Sequence, residues 1–139
     1  MKEILIMDWN KYKNLSILII DDDHFTRELI ETILKKIPNV TIYQAMDGAE
    51  ALRVVNDVQV DMIFLDFYMP NMNGKEFMDS LKKSDKDESF PIVLISTDRL
   101  TRAELSDIGA NYYLSKPFNF GAFLEKTYSF LEEFKSDET

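Results

Sequence analysis

Side chains that could carry out chemistry stand at the ends of the short apolar runs of this sequence. The residues concerned are Asp21, Asp22, Asp23, Asp66, Ser96 and Lys116. Neighbouring carboxylates repel, and each resists ionising beside an ionised partner, so the aspartates require a cation to balance their charge. Convergent carboxylates without histidine or cysteine suit a hard, oxygen-preferring ion. We therefore expect Mg²⁺, with Mn²⁺ as a possible substitute.

The same residues predict phosphoryl transfer. A carboxylate can act as a nucleophile and form an acyl phosphate. Phosphoryl transfer mainly requires the oxygens of the transferred group to be neutralised and aligned. Mg²⁺, the Lys116 ammonium group and the Ser96 hydroxyl group would all contribute to this. The pattern indicates a site for a metal and a phosphate, if the fold brings these residues together.

Alternating strands and helices would position these side chains. Apolar, β-rich runs predict strands over 17–20, 40–43, 62–65, 92–95 and 112–114. Amphipathic patterns predict helices over 25–37, 48–55, 75–83, 99–108 and 118–134, with Phe25 and Phe120 on the apolar faces of the first and the last. This order indicates an α/β fold, a doubly wound five-stranded parallel sheet covered by helices on both faces. Ligands bind beyond the carboxyl ends of such strands, where the reactive residues should meet.

Composition limits the partners and the compartment. The 139 residues fit one domain, and 16 basic against 25 acidic side chains give a net charge of −9. This charge argues against direct binding to nucleic acid or to an anionic membrane. No apolar stretch approaches the roughly 18 residues of a membrane span, and residues 1–14 make a poor secretory signal. We expect a cytoplasmic protein with an N-terminal extension at 1–14, one domain at 15–135 and a tail at 136–139.

The motifs that contain these residues resemble a known family. They are the pair Asp21-Asp22, the segment Asp-Phe-Tyr-Met-Pro-Asn-Met-Asn-Gly at 66–74, Ser96-Thr97, Lys-Pro-Phe at 116–118, Arg27 and the segment 45–52. In this order they resemble the receiver domains of two-component response regulators, especially the stand-alone chemotaxis (CheY-like) type. The resemblance covers about 15–134 and implies a flavodoxin-like fold with strand order 2-1-3-4-5.

The resemblance also implies a metal site and an acceptor. Asp66 takes the position of the phosphoacceptor. Asp22 would bind Mg²⁺ directly and Asp21 mainly through water. Asp66 and the backbone carbonyl of Tyr68 would complete the protein ligands. The phosphoryl group would come from a sensor histidine kinase or a phosphotransfer protein, and the only reactions of the chain itself would be its own phosphorylation and dephosphorylation.

Further roles follow from the resemblance. Ser96, Thr97 and Lys116 would bind the phosphoryl group, and Ser96 with the aromatic Tyr113 would form the switch. The altered surface would be the face of the fourth helix, fifth strand and fifth helix, which binds a downstream protein. Tyr68 and Asp98 would tune hydrolysis. The Lys116–Pro117 peptide bond is expected to be cis, an isomer that is inexpensive only before proline.

Several alternatives remain open from the sequence. Asp23 is better explained as a helix cap, His24 as an exposed residue of the first helical turn, and Trp9 as a packing anchor of the extension. Tyr113 fits a half-buried strand residue equally well. A haloacid-dehalogenase-like phosphatase also uses a strand-end aspartate and Mg²⁺, and a flavodoxin-like protein would bind FMN. The chain could also be a receiver cut from a longer response regulator.

Overall fold

A five-stranded parallel sheet forms the centre of the protein. The computed structural model describes residues 7–67, 74–84, 90–97 and 100–137. The strands are β1 (Ser16–Ile20), β2 (Thr41–Ala45), β3 (Met62–Asp66), β4 (Ile92–Ser96) and β5 (Tyr112–Ser115). They pair in parallel in the order β2-β1-β3-β4-β5. The predicted fold and strand order are confirmed.

Helices cover both faces of the sheet. They are α1 (His24–Leu34), α2 (Gly48–Asp57), α3 (Gly74–Lys83), α4 (Arg102–Ile108) and α5 (Phe120–Asp137). None of the helices in the described part of the chain has the length and apolar character that a bilayer span requires.

The central strands are buried on both faces, as parallel sheets require. Because successive side chains of a strand point to opposite faces, β1 divides its residues between two cores. Ile17 and Ile19 face the core that α1 and α5 complete. Leu18 and Ile20 face the core that α2 and α3 complete. Four consecutive apolar residues in β1 are explained by this double burial.

Capping side chains determine the residue at which each helix near the carboxyl edge of the sheet begins. Asp23 caps α1, its carboxylate accepting the Thr26 N–H group as predicted. The helix predicted from residue 99 begins instead at Arg102, because Thr101 and Glu104 form a reciprocal capping box. The last helix begins at Phe120, and not at residue 118 as predicted, because the Asn119 side chain caps it by accepting the Ala122 N–H group.

Two aromatic residues predicted to lie on apolar helix faces are instead exposed. Phe25 is 75% exposed in the first turn of α1, and Phe120 is 42% exposed at the start of α5. Phe25 lies at the carboxyl edge of the sheet, in the first helical turn after β1, and the Phe120 ring has the Lys36 ammonium group 5.9 Å from its centroid. The buried face of α1 is formed by Arg27, Ile30, Ile33 and Leu34.

Residues before β1 pack against the last helix. The Trp9 and Tyr12 rings meet the Tyr128 ring of α5, with centroids 5.0 Å and 6.1 Å from it. Lys11 forms an ion pair with Glu132 one turn further along α5. Trp9 is therefore a packing anchor, as expected, and Tyr12 is itself part of the core.

Candidate functional site

The ends of four strands bring the predicted reactive residues to one edge of the sheet. Asp66 is the last residue of β3 and Ser96 the last of β4, while Asp21 and Lys116 directly follow β1 and β5. Lys116 is attached to this edge by its backbone, because its N–H group donates to the Ser96 carbonyl at 2.9 Å. The convergence expected from the parallel topology is present.

Three carboxylates form a cluster at this edge. Single oxygen atoms of Asp21, Asp22 and Asp66 all lie within 4.8 Å of one another. Asp21 is buried, Asp66 is half-buried and Asp22 is exposed, so the cluster opens to solvent on the Asp22 side. An ion approaching from solvent would meet the exposed Asp22 carboxylate first and the buried Asp21 carboxylate beyond it.

The two oxygens of Asp21 have different surroundings. Oδ1 accepts the Asp23 N–H group at 2.9 Å. Oδ2 is buried and accepts no hydrogen bond from the described residues, and Lys116 Nζ lies 3.7 Å from it. A buried carboxylate oxygen without a hydrogen-bond donor is unfavourable unless a cation compensates it. Oδ2 is thus the oxygen best placed to respond to a bound ion.

Burial raises the pKa of the Asp21 carboxyl group to about 6. The Asp23 N–H group opposes this by stabilising the carboxylate, the Asp66 carboxylate adds to it, Lys116 again opposes it, and Asp22 makes a small further increase in the pKa. The contributions that raise the pKa outweigh those that lower it. The negative charge of the cluster is therefore not fully balanced when Asp21 is ionised.

The donor set fits a hard divalent cation. All three side chains offer carboxylate oxygen, which Mg²⁺ prefers, and the buried Oδ2 of Asp21 has no hydrogen-bond donor among the described residues. Asp21, Asp22 and Asp66 could therefore hold the ion together with water. Tyr68, whose carbonyl was predicted to complete the site, lies outside the described residues, as does Asp98.

The remaining predicted residues surround the cluster. The Ser96 side chain is buried at the end of β4, and Thr97 next to it is exposed. Tyr113 is half-buried in β5 and packs against the core that α2 and α3 complete. The Lys116–Pro117 bond is cis, as expected from the resemblance.

One residue near the cluster received no role from the sequence. Arg27 is buried in α1 and donates a hydrogen bond to the backbone carbonyl of Asp21. The sequence did indicate that Arg27 is buried, because Arg27 precedes Ile30 by three residues and Leu34 by seven. That spacing places a charged side chain on the buried face of α1.

A family model now identifies the chain. The model of the response regulator receiver domain matches residues 17–128. The chain belongs to this family. The match includes the five strands except Ser16, the first residue of β1, and it includes every residue of the acidic cluster. It favours the receiver over the phosphatase and the FMN protein that the sequence left open.

Individual relatives and structures agree with this assignment. The receiver is 33% identical to Protein PilG of Pseudomonas aeruginosa over 107 residues, covering 76% of this chain and 78% of PilG. Chemotaxis protein CheY-3 of Vibrio cholerae is 28% identical, with 82% of this chain and 89% of CheY-3 covered. The response regulator TrrA of Thermotoga maritima, solved in complex with Mg²⁺ and BeF, has a TM-score of 0.71 at 32% identity, covering 84% of this chain and 98% of that structure.

Proposed function

We propose that Asp66 is the phosphoacceptor of this receiver. The observation that supports the assignment is the position of Asp66 at the end of β3, within reach of the Asp21 and Asp22 carboxylates. A carboxylate oxygen of Asp66 would form a bond to phosphorus while the phosphorus–nitrogen bond of a donor phosphohistidine breaks. The electron pair of that bond passes to the imidazole nitrogen of the donor, which is a histidine kinase or a phosphotransfer protein.

Asp21, Asp22 and Asp66 are proposed to hold Mg²⁺, with the carbonyl of Tyr68 as a further ligand. The ion supplies neutralisation of the charge on the phosphoryl oxygens. Asp22, the exposed member, is assigned direct contact, and the buried Asp21 is assigned contact through water. Mn²⁺ would bind to the same carboxylate and carbonyl oxygens.

Lys116 is proposed to bind a phosphoryl oxygen after transfer. Its ammonium group lies 3.7 Å from Asp21 Oδ2, so it has a carboxylate partner that it can exchange for the phosphoryl group. Ser96 and Thr97, at the end of β4, are assigned hydrogen bonds to the same group. We further assign to Tyr68 and Asp98 the tuning of hydrolysis by water.

The output of the receiver is proposed to pass through Ser96 and Tyr113. Movement of the Ser96 hydroxyl toward the phosphoryl group would leave space for the half-buried Tyr113 ring to turn inward. Such coupling requires that the two arrangements differ in their contacts with the phosphoryl group. The changed surface would be formed by α4, β5 and α5, and a downstream protein in the cytoplasm would bind it.

We assign the receiver to residues 15–135, with 1–14 as extension and 136–139 as tail.

Phosphorylation by a small donor tests the acceptor. The parent protein incubated with acetyl phosphate and Mg²⁺ should gain one phosphoryl group by mass spectrometry and then stop. Asp66→Asn removes the nucleophile, and we expect it to gain none. Asp57→Asn, an exposed aspartate at the end of α2, should behave as the parent does.

Three results would contradict the proposal. Uptake by Asp66→Asn equal to that of the parent would place the acceptor elsewhere. Release of phosphate by the parent from a phosphate monoester, many equivalents per protein, would indicate a phosphatase. Omitting Mg²⁺ should reduce uptake strongly, and full uptake in EDTA would remove the metal from the reaction.

A further inference from the structure

A buried arginine connects α1 to the acidic cluster. Arg27 is 9% exposed, and its guanidinium group has three neighbours of different kinds. Nη1 donates to the Asp21 carbonyl at 2.6 Å, Nε donates to Gln44 Oε1 at 2.9 Å, and Nη2 lies 3.4 Å from His24 Nδ1. A guanidinium group only donates hydrogen bonds and its fork has a fixed shape. The positions of these acceptors therefore determine where the group can lie.

The hydrogen bond from Arg27 pairs the backbone carbonyl group of Asp21, which lies beyond the end of a strand ladder. The ladder between β1 and β3 ends at the pair Ile20 and Leu65, so the Asp21 carbonyl lies beyond it. The Asp21 N–H group is still bonded, to the Ala45 carbonyl of β2 at 3.1 Å. With Arg27 on its carbonyl, the Asp21 backbone is held from two sides. Buried backbone groups are almost always paired, which makes this bond important for the local geometry.

Gln44 orients the arginine. Its Nε2 donates to Glu28 Oε1 at 3.0 Å and to Glu31 Oε1 at 3.3 Å. Because both carboxylates accept from the same end of the amide, the Oε1 end must face Arg27. The chain of hydrogen bonds from α1 through β2 returns to the first residue after β1.

We propose that Arg27 is a positioning residue for the metal site. It holds the Asp21 backbone so that the Asp21 carboxylate meets Asp22 and Asp66 in an arrangement that binds Mg²⁺. The inference rests on the proposed function of this cluster and assigns to it a support outside the metal ligands. Partners that orient metal ligands typically change metal affinity or activity by about 10- to 100-fold when they are replaced.

Mg²⁺ affinity measured directly tests this role. The dissociation constant is obtained from amide NMR shifts of residues 20–24 during a titration with MgCl₂. We expect Arg27→Lys to weaken binding by about 10-fold, because a single ammonium group cannot bond both Asp21 and Gln44 in the fork geometry. Gln44→Met leaves the guanidinium group present but without its orienting acceptor, and it should weaken binding by roughly 3-fold. Ile33→Val removes one buried methyl group of α1 and should lower stability without changing the dissociation constant.

A second readout separates positioning from chemistry. The rate of phosphorylation by acetyl phosphate should fall in Arg27→Lys at low Mg²⁺ and return to within about twofold of the parent at saturating Mg²⁺. A dissociation constant equal to that of Ile33→Val would overturn the proposal and leave Arg27 as a structural residue. If Arg27→Lys does not fold, Gln44→Met decides in the same way. A parent protein that shows no Mg²⁺-dependent shift would instead contradict the metal site itself.

Discussion

Burial and neighbouring carboxylates both favour the protonated form of Asp21. The pKa of this group is about 6 in the folded protein, against an ordinary value of 3.8. Between these two pH values the folded state retains a proton that the unfolded state has lost. The contribution of Asp21 to the free energy of unfolding therefore increases as the pH falls from above 6 toward 4. It is lost as the pH rises through 6. A bound cation would reverse this by favouring the carboxylate.

The pH dependence of metal-free stability is the corresponding prediction. In EDTA, we expect the parent to melt about 4 °C higher at pH 5 than at pH 7.5, corresponding to about 1 kcal/mol after screening by water at the open side of the cluster. Asp21→Asn cannot ionise, and most of this difference should disappear. The exposed control Asp57→Asn should keep it. An unchanged difference in Asp21→Asn, measured by calorimetry, would show that other groups cause it.

A close approach between α3 and the end of β3 positions the strand that ends in Asp66. The N–H group of Gly74, the first residue of α3, donates to the Phe67 carbonyl at 2.8 Å. A Cβ atom at Gly74 would lie 2.5 Å from Phe67 Cδ1 and 3.0 Å from Phe67 Cα. Phe67 directly follows Asp66, so a side chain at position 74 must displace the residue next to the proposed acceptor.

Gly74→Ala should therefore impair both folding and phosphorylation. We expect a loss of about 1–3 kcal/mol in the free energy of unfolding, as for overpacked sites, and slower phosphorylation of Asp66 by acetyl phosphate. Gly121→Ala is the matched control, because its added Cβ would meet only Asn119 Oδ1 at 3.8 Å. Urea denaturation and mass spectrometry measure the two effects. Equal values for the two variants would mean that the Phe67 contact adapts without affecting the site.

The elements show which features could be predicted from the sequence. Strand positions could be predicted because double burial requires continuous apolar runs, and the reactive residues follow those runs. The predicted start of α4 at residue 99 was wrong, although the sequence contains the capping pair Thr101 and Glu104 at its typical spacing. The exposure of Phe25 could not be predicted, because periodicity does not show where the covering layer ends. The bond from Arg27 to the Asp21 carbonyl depends on the backbone turn after β1, which no pattern specifies.

At the scale of the whole molecule, the residues before β1 complete the core on the α1 and α5 side. Tyr12 is 4% exposed and its ring lies among Trp9, Tyr128 and the Lys135 ammonium group, which is 4.4 Å from the ring centroid. Tyr12 also lines a cavity of about 160 Å³ with Asp61 and Pro91, which precede β3 and β4. This is the amino edge of the sheet, opposite the acidic cluster. The extension should therefore affect stability more than chemistry.

Tyr12→Ala tests this separation. Removing a buried aromatic side chain should lower the free energy of unfolding by about 3 kcal/mol, while the rate of phosphorylation at saturating Mg²⁺ stays within twofold of the parent. Trp9 is the sole tryptophan of the sequence, so a shift of its emission to longer wavelength would report loss of packing on α5. Tyr12→Phe keeps the ring and should resemble the parent. A large fall in phosphorylation rate would show that the two edges are coupled.

The packing of Tyr12 on Tyr128 has a consequence for biosynthesis. The two rings stand 6.1 Å apart in space but are separated by more than a hundred residues of chain. At about 5–20 residues per second, a ribosome adds Tyr128 on the order of ten seconds after Tyr12. During this interval the aromatic side chains before β1 have no helix to cover them. Translation that stops before α5 would release chains with these side chains uncovered, and such chains are prone to associate with one another.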